Sequence, residues 1–304
     1  MKQVVSPYAA VMSREPGRRS DVDLLGGTTA YWEYGAVDAV RTLVLVHGFR
    51  GDHHGLEAVA AHLCAIDPGL RVIAPDLPGF GVSTPLGEVR HDIDGYSTWL
   101  TEFRRHLAVS DTPVLGHSFG SIVVSAALAS GMTAERAILV NPIAAPALSG
   151  PNGVGTRLAV FYYWLGARLP EQVGFAVLRW GAVTRGMSVT MAKSRDRALR
   201  RWIHDQHDRY FGAFANRDVV LDAFRASVSN DVSEYAAKIG IPVLLIGADR
   251  DDITPVADVE KLATLFPDAR LEMLSDVGHL VHYERPRESA ESIDAFLRAA
   301  EPAS

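Results

Sequence analysis

One cysteine, Cys64, in 304 residues rules out an internal disulfide, which makes a reducing cytoplasm the expected compartment. Basic charge is short as well: 30 Lys and Arg face 36 Asp and Glu, a formal net charge of −6. With no surplus to neutralise phosphates, neither nucleic acid nor an anionic membrane is an expected partner. The basic pair Arg18 and Arg19 is flanked by Glu15 and Asp21 and reads as solvated surface. No run approaches eighteen uncharged apolar residues, so no spanning helix is expected. The first twenty residues, MKQVVSPYAAVMSREPGRRS, lack the continuous apolar region of a signal peptide. Internal repeats and low-complexity tracts are missing too. What remains is 48% hydrophobic, ample for a large core, at a length between one big α/β domain and two ordinary ones.

Short β-rich apolar runs alternate with helical periodicity, the pattern of an α/β fold with a mostly parallel sheet flanked by helices. TLVLVHG, RVIAPDLPG, PVLGHS, RAILVNP, PVLLIGADRD and ARLEMLSD read as strands. Between them, HHGLEAVAAHL, Tyr96 to Leu107, FGSIVVSAALAS and Val256 to Leu265 read as helices. Cys64 falls in the apolar helical run EAVAAHLCA, as a packed core thiol. A last helix starts near Pro286, a residue suited to a first helical position. Ala290, Ile293, Phe296, Leu297 and Ala300 give that helix one apolar stripe. The alternation breaks over 144–233, which holds no convincing strand and a heavy aromatic load: FYYWLGARL, VLRWGAV, RWIHDQHDRYFGAF. Helical spacing fits there, as at Ile203, His207, Tyr210, Phe211 and Phe214. The expected organisation is a core of 22–143 and 234–300 with 144–233 inserted as a helical layer over the sheet's edge.

The chemistry starts at VLGHSFGS, Val114 to Ser121, where a strand must become a helix within about one residue. Such a turn leaves Ser118 in a sparsely populated backbone conformation. The residues two before and two after it crowd each other, so both are best as glycine, here Gly116 and Gly120. The turn lifts the Ser118 hydroxyl above the sheet at a helix N-terminus, where free amides favour developing negative charge. Alone, Gly-x-Ser-x-Gly is a weak signal; its strand–turn–helix context carries the weight.

A serine hydroxyl needs a base to take its proton. Of eleven histidines, His279 in DVGHLVHYERP sits in a short loop between the last strand and last helix, at the sheet edge that carries Ser118. His282, three residues on, reads as its structural foil, and the His117 side chain is expected to point away from that of Ser118. HDQHD (His204, His207) and DHH (Asp52 to His54) lack a recognisable third ligand at a metal spacing and read as surface or packing histidines. The base in turn needs a carboxylate to fix its tautomer. GADRDDITP offers Asp249, Asp251 and Asp252, and spacing does not choose between Asp249 and Asp251. Two donors must meet the intermediate's oxyanion. The candidates are the backbone N–H of Phe119, after the nucleophile, and of Phe49 in the glycine-flexed HGFRG.

Together His47-Gly48-Phe49, DLPGFGVS (Asp76 to Ser83), GHSFGS, DDITP and GHLVHYERP resemble the α/β-hydrolase fold superfamily, in its broad lipase, esterase and meta-cleavage-hydrolase type. The motifs follow the superfamily's order of nucleophile, acid and histidine. The resemblance implies Asp251 as the acid, four residues before Pro255, with Asp249 as the alternative, and gives Asp76 a loop-organising role. It makes 144–233 a cap that shapes the pocket. Serine in GHSFG argues against haloalkane dehalogenases and epoxide hydrolases, which carry aspartate there. The expected activity is a carboxylesterase on a small hydrophobic or aromatic substrate, acting through an acyl-enzyme on Ser118 with His279 and Asp251. Neither metal nor organic cofactor is needed, the only partner is a small-molecule substrate, and the state is a monomer or homodimer. The alternatives are a carbon–carbon hydrolase of the meta-cleavage type, a thioesterase or acyltransferase, and a non-enzymatic ligand-binding module. HGFRG lacks the triple glycine common in the carbon–carbon hydrolases. Those enzymes would also need a cation for the substrate carboxylate, and Arg50, the candidate, is expected to face solvent.

Overall fold

The computed structural model describes residues 4–145 and 153–299. Ala300 of the predicted stripe and 146–152 of the predicted insertion therefore lie outside the described residues. A short helix, α1 (Ala9–Met12), precedes an antiparallel hairpin of β1 (Arg18–Leu24) and β2 (Gly27–Tyr34). The sequence pattern does not announce this hairpin, which begins ahead of residue 22. Strand β1 lies at the sheet edge and buries only Val22, so RRSDVDL shows no apolar alternation. Its turn puts Leu25 and Gly26 at φ 50° and 75°, the two positive angles of a type I′ turn. Leucine at the first of them gives no turn signal.

From β3 (Arg41–Val46) the alternation is regular: α2 (Glu57–Ile66), β4 (Leu70–Pro75), α3 (Ile93–His106), β5 (Val114–His117), α4 (Phe119–Ala129) and β6 (Ala137–Val140). Five helices follow, α5 (Gly153–Arg168), α6 (Glu171–Leu178), α7 (Gly181–Met191), α8 (Arg197–Tyr210) and α9 (Arg217–Ser229), with no strand among the described residues between β6 and the next, β7 (Val243–Ala248). The chain ends in α10 (Val256–Ala263), β8 (Ala269–Leu274), α11 (Val281–Glu284) and α12 (Pro286–Arg298). Side-chain caps start α3, α8 and α9, where Asp92, Asp196 and Asn216 accept from first-turn amides.

The eight strands form one sheet in the order β1-β2-β4-β3-β5-β6-β7-β8. Pairing is antiparallel at β2 and parallel from β4 to β8. Central strands are apolar on both faces because helices cover both. In β3, Val44 and Val46 face the layer of Trp99, Phe103 and Ile122, while Leu43 and Leu45 face that of Leu63, Ile293 and Phe296. The fold thus leaves the carboxyl ends of β3, β5, β6, β7 and β8 side by side. After four of these ends a non-glycine residue takes positive φ: Arg50 at 61°, Ser118 at 52°, Asn141 at 45° and Asp276 at 57°. Strain of this kind gathers where a side chain must be aimed. The inserted helices reach this edge through Phe80 and Phe214, which form an isolated antiparallel bridge, and through Gly81 N–H, which donates to Ala213 C=O at 2.8 Å. No described helix is long and apolar enough to cross a membrane.

Candidate active site

Ser118 stands between β5 and α4 with φ 52° and ψ −118°. Both glycines prove sterically required. A Cβ on Gly116 would lie 2.3 Å from Gly120 O, and one on Gly120 would lie 2.3 Å from Val46 O. The turn is held from both sides: Ser118 N–H donates to Val140 O at 3.0 Å, and Ser121 Oγ–H donates back to Ser118 O at 2.5 Å.

His279 arrives on the loop between β8 and α11. Its Nε2 lies 2.8 Å from Ser118 Oγ and its Nδ1 2.8 Å from Asp251 Oδ2. An ionised carboxylate only accepts, so Nδ1–H donates to Asp251, leaving Nε2 to accept the Ser118 hydroxyl proton. Geometry separates the two aspartates that spacing leaves open. Asp251 touches the histidine, whereas Asp249 Oδ1 accepts from Val277 N–H at 3.3 Å and braces the histidine loop. Burial pushes the Asp251 carboxyl up. The charge and hydrogen bond of His279, with the Ile253 and Thr254 amides, outweigh that and hold it below the ordinary carboxylate value. Asn141, which the sequence reading passed over, donates Nδ2–H to Asp251 Oδ2 at 3.0 Å. A polar residue ending a core strand, here in RAILVNP, is the one signal that points to it.

Facing this line is the loop after β3. A Cβ on Gly48 would lie 3.1 Å from Ser118 Cβ, so glycine there lets backbone approach Ser118. His47 fixes the loop: its Nε2 accepts from Leu77 N–H at 2.8 Å while Nδ1 lies 2.8 Å from Gly48 O. Among the described residues, neither Phe49 N–H nor Phe119 N–H donates to another group. Both remain free for an oxyanion.

Arg50, expected to face solvent, is instead 1% exposed. Its guanidinium donates to Phe211 O at 2.9 Å, Tyr163 Oη at 3.2 Å and Leu178 O at 3.0 Å, and it stands 5.2 Å from the Phe214 ring centroid. The residue beside Phe49 therefore latches α5, α6 and the end of α8 to the core, and its charge is spent there.

A cavity of about 160 Å³ opens over Ser118, with Phe49, Ile143, Met187 and Ile253 in its walls. Three further histidines line it: His117, His207 and His282. His117, whose side chain is expected to point away from that of Ser118, sets its Nε2 3.4 Å from His279 O and packs its ring 3.9 Å from that of His282. His282 is more than a foil, and His207, read as a surface or packing histidine, is packed in the cavity wall. Burial drives all three down, His117 and His207 to about 3 and His282 well below the ordinary value. They are neutral at pH 7. Sequence periodicity puts His207 on the inner stripe of α8, but only docking of α8 on the core turns that stripe into a pocket wall.

The remaining candidates fall outside this line. His204 Nδ1 lies 2.6 Å from Ser188 Oγ. Candidate ligand atoms of Asp52, His53 and His54 lie within 4.8 Å of one another, yet each residue is engaged by the protein. His53 Nδ1 lies 2.8 Å from Asp76 Oδ1, His54 Nδ1 lies 3.2 Å from Asp52 Oδ1, and the two rings stack on Trp32 and Tyr210. Asp76 also accepts from the His53 and Val82 amides, organising its loop. Cys64 is buried in α2, and burial pushes its thiol up to about 12, far from a thiolate nucleophile.

Comparison with known proteins agrees with this architecture. A family model described as alpha/beta hydrolase fold matches residues 41–286. The uncharacterized hydrolase YugF of Bacillus subtilis is 27% identical over 292 residues, covering 93% of this chain and 98% of that protein. Lipase 3 of a Moraxella species is 24% identical over 262 residues, covering 84% of this chain and 76% of the lipase. Among solved structures, an esterase from Exiguobacterium antarcticum superposes with a TM-score of 0.73 at 16% identity, over 93% of this chain and all (100%) of that one.

Proposed function

The chain belongs to the alpha/beta hydrolase fold family, and from that premise we propose that it cleaves a carboxylic ester of a small hydrophobic or aromatic substrate through an acyl-enzyme. Ser118 Oγ attacks the acyl carbon as its proton passes to His279 Nε2. Asp251 holds the imidazole in the tautomer that accepts and stabilises the imidazolium that forms. The Phe49 and Phe119 amides receive the oxyanion, a term worth about a hundredfold or more per donor. His279 then gives its proton to the departing alkoxide. Water, deprotonated by the same nitrogen, attacks the acyl carbon; the bond to Ser118 breaks and Oγ takes the proton back.

One observation carries the reading: His279 bridges Ser118 Oγ and Asp251 Oδ2 at 2.8 Å on each side. The likeness to a lipase supports ester chemistry, and the largely apolar cavity wall suits a small acyl group. A carbon–carbon hydrolase acting on a ring-cleaved dienone acid would need a cation for the carboxylate, and Arg50 is committed elsewhere. Turnover of phenyl acetate, a phenyl thioacetate and a ring-cleavage dienone acid by wild type and Ser118→Ala tests the proposal. Expected is fastest turnover of the oxygen ester, abolished in the variant. Faster turnover of the dienone acid would contradict it, as would full activity without Ser118.

A further inference from the structure

One end of the cavity over Ser118 carries polar groups that the proposed ester hydrolysis does not use. His207 is 1% exposed, and neither of its ring nitrogens has a hydrogen-bond partner among the described residues. His282 is 6% exposed and its Nδ1 is likewise unpartnered. Desolvating such atoms without a partner is unfavourable, and in a pocket wall a ligand can supply the missing bonds. They belong to one place. The rings of His282 and His207 lie 4.3 and 5.5 Å from that of Tyr283. A Cβ on Gly55 would meet Tyr283 Oη at 3.5 Å and His282 Nε2 at 3.9 Å, so bare backbone faces both polar tips.

Charge narrows what this end can take. Among the described residues that line the cavity there is no lysine or arginine. Asp52 lines it too, and although burial pushes its carboxyl up, the hydrogen bond and charge of His54 hold it below the ordinary value, so it is ionised at neutral pH. A substrate carboxylate here would meet a like charge in a low dielectric, and the nearby cation, His54, is already paired with Asp52 at 3.2 Å. A neutral imidazole instead offers one donor and one acceptor, which matches a hydroxyl, keto or amide group.

We propose that His207 and His282 form a neutral hydrogen-bonding subsite of the Ser118 pocket, which selects substrates bearing an uncharged polar group and rejects those bearing a carboxylate. This rests on the reading that the pocket takes an ester, and a binding measurement without chemistry separates the two claims. Titration calorimetry on Ser118→Ala compares ethyl butyrate, ethyl 3-hydroxybutyrate and monoethyl succinate on the acyl side. Butyl acetate and 3-hydroxybutyl acetate make the same comparison on the alcohol side. In at least one pair the hydroxylated ligand is expected to bind tenfold or more tighter than its alkyl partner. Monoethyl succinate should bind more weakly than ethyl butyrate. Adding His207→Phe or His282→Phe should cut the hydroxyl preference below threefold, while His207→Gln, which keeps a donor and an acceptor, retains part of it. No hydroxyl preference in either pair overturns the proposal. So does a preference untouched by both Phe variants, or tighter binding of the carboxylate. An inactive wild type with the hydroxyl preference intact would sink the esterase reading alone.

Discussion

At the scale of single residues, a two-residue ambiguity in the sequence becomes a mutational contrast. Asp251→Asn keeps the shape beside His279 but presents an amide that favours the wrong imidazole tautomer, so kcat should fall by about three to four orders of magnitude. Asp249→Asn loosens only the contact to Val277 N–H and should cost less than about tenfold. Initial rates on phenyl acetate decide it; a larger loss at Asp249 would reassign the acid. Ser118 and His279 are legible in the sequence because a hydroxyl between crowding glycines and a histidine in a loop after the last strand each have a chemical reason to be there. Asp251 is legible only as one of a pair, since neighbouring loop residues differ in direction and not in type. Asn141, His207 and His282 are not legible as site residues, because their roles come from strand ends and helix docking that unite distant segments.

Elements repeat that division. Buried strands such as VLLIGA in β7 are read directly from β-branched apolar runs, whereas β1 is missed because its edge position leaves it nothing apolar to alternate. The register of the inserted helices against the core is equally invisible in the sequence, since it rests on long-range contacts such as the Phe80–Phe214 bridge and the hydrogen bonds of Arg50. Arg50→Met removes the three donations to Phe211 O, Tyr163 Oη and Leu178 O and leaves buried carbonyls unpaired. Stability should drop by about 2–4 kcal/mol, since hydrogen bonds from charged donors contribute roughly 1.5–3 kcal/mol each before desolvation of the charge is offset. Because Arg50 follows Phe49 in the chain, kcat should drop with it. Urea unfolding and limited proteolysis check this. The expected result is a lower midpoint with faster cleavage within α5 to α9, and an unchanged midpoint would count against the latch.

For the whole molecule, the buried neutral histidines set a pH limit. His117 and His207 titrate near 3 in the folded chain and near 6.5 when unfolded. Between those values the unfolded chain binds more protons, so their contribution is complete above about pH 6.5 and shrinks as pH falls toward 3. At pH 5 the loss reaches up to about 2 kcal/mol per histidine. Melting temperature should fall clearly from pH 6.5 to pH 5, and His207→Phe should reduce that fall. Equal or greater stability at pH 5 would show these imidazoles to be solvated. The account as a whole requires Ser118, Asp251 and His279, carried by three separate stretches of chain, to act as one proton line on a single acyl group. Intact-protein mass spectrometry of the Asp251→Asn variant, acid-quenched during turnover of p-nitrophenyl butyrate and followed by peptide mapping, reads that directly. The predicted result is one butyryl group on the peptide bearing Ser118, absent in Ser118→Ala. Butyryl on any other residue, or on the Ser118→Ala protein, would contradict it.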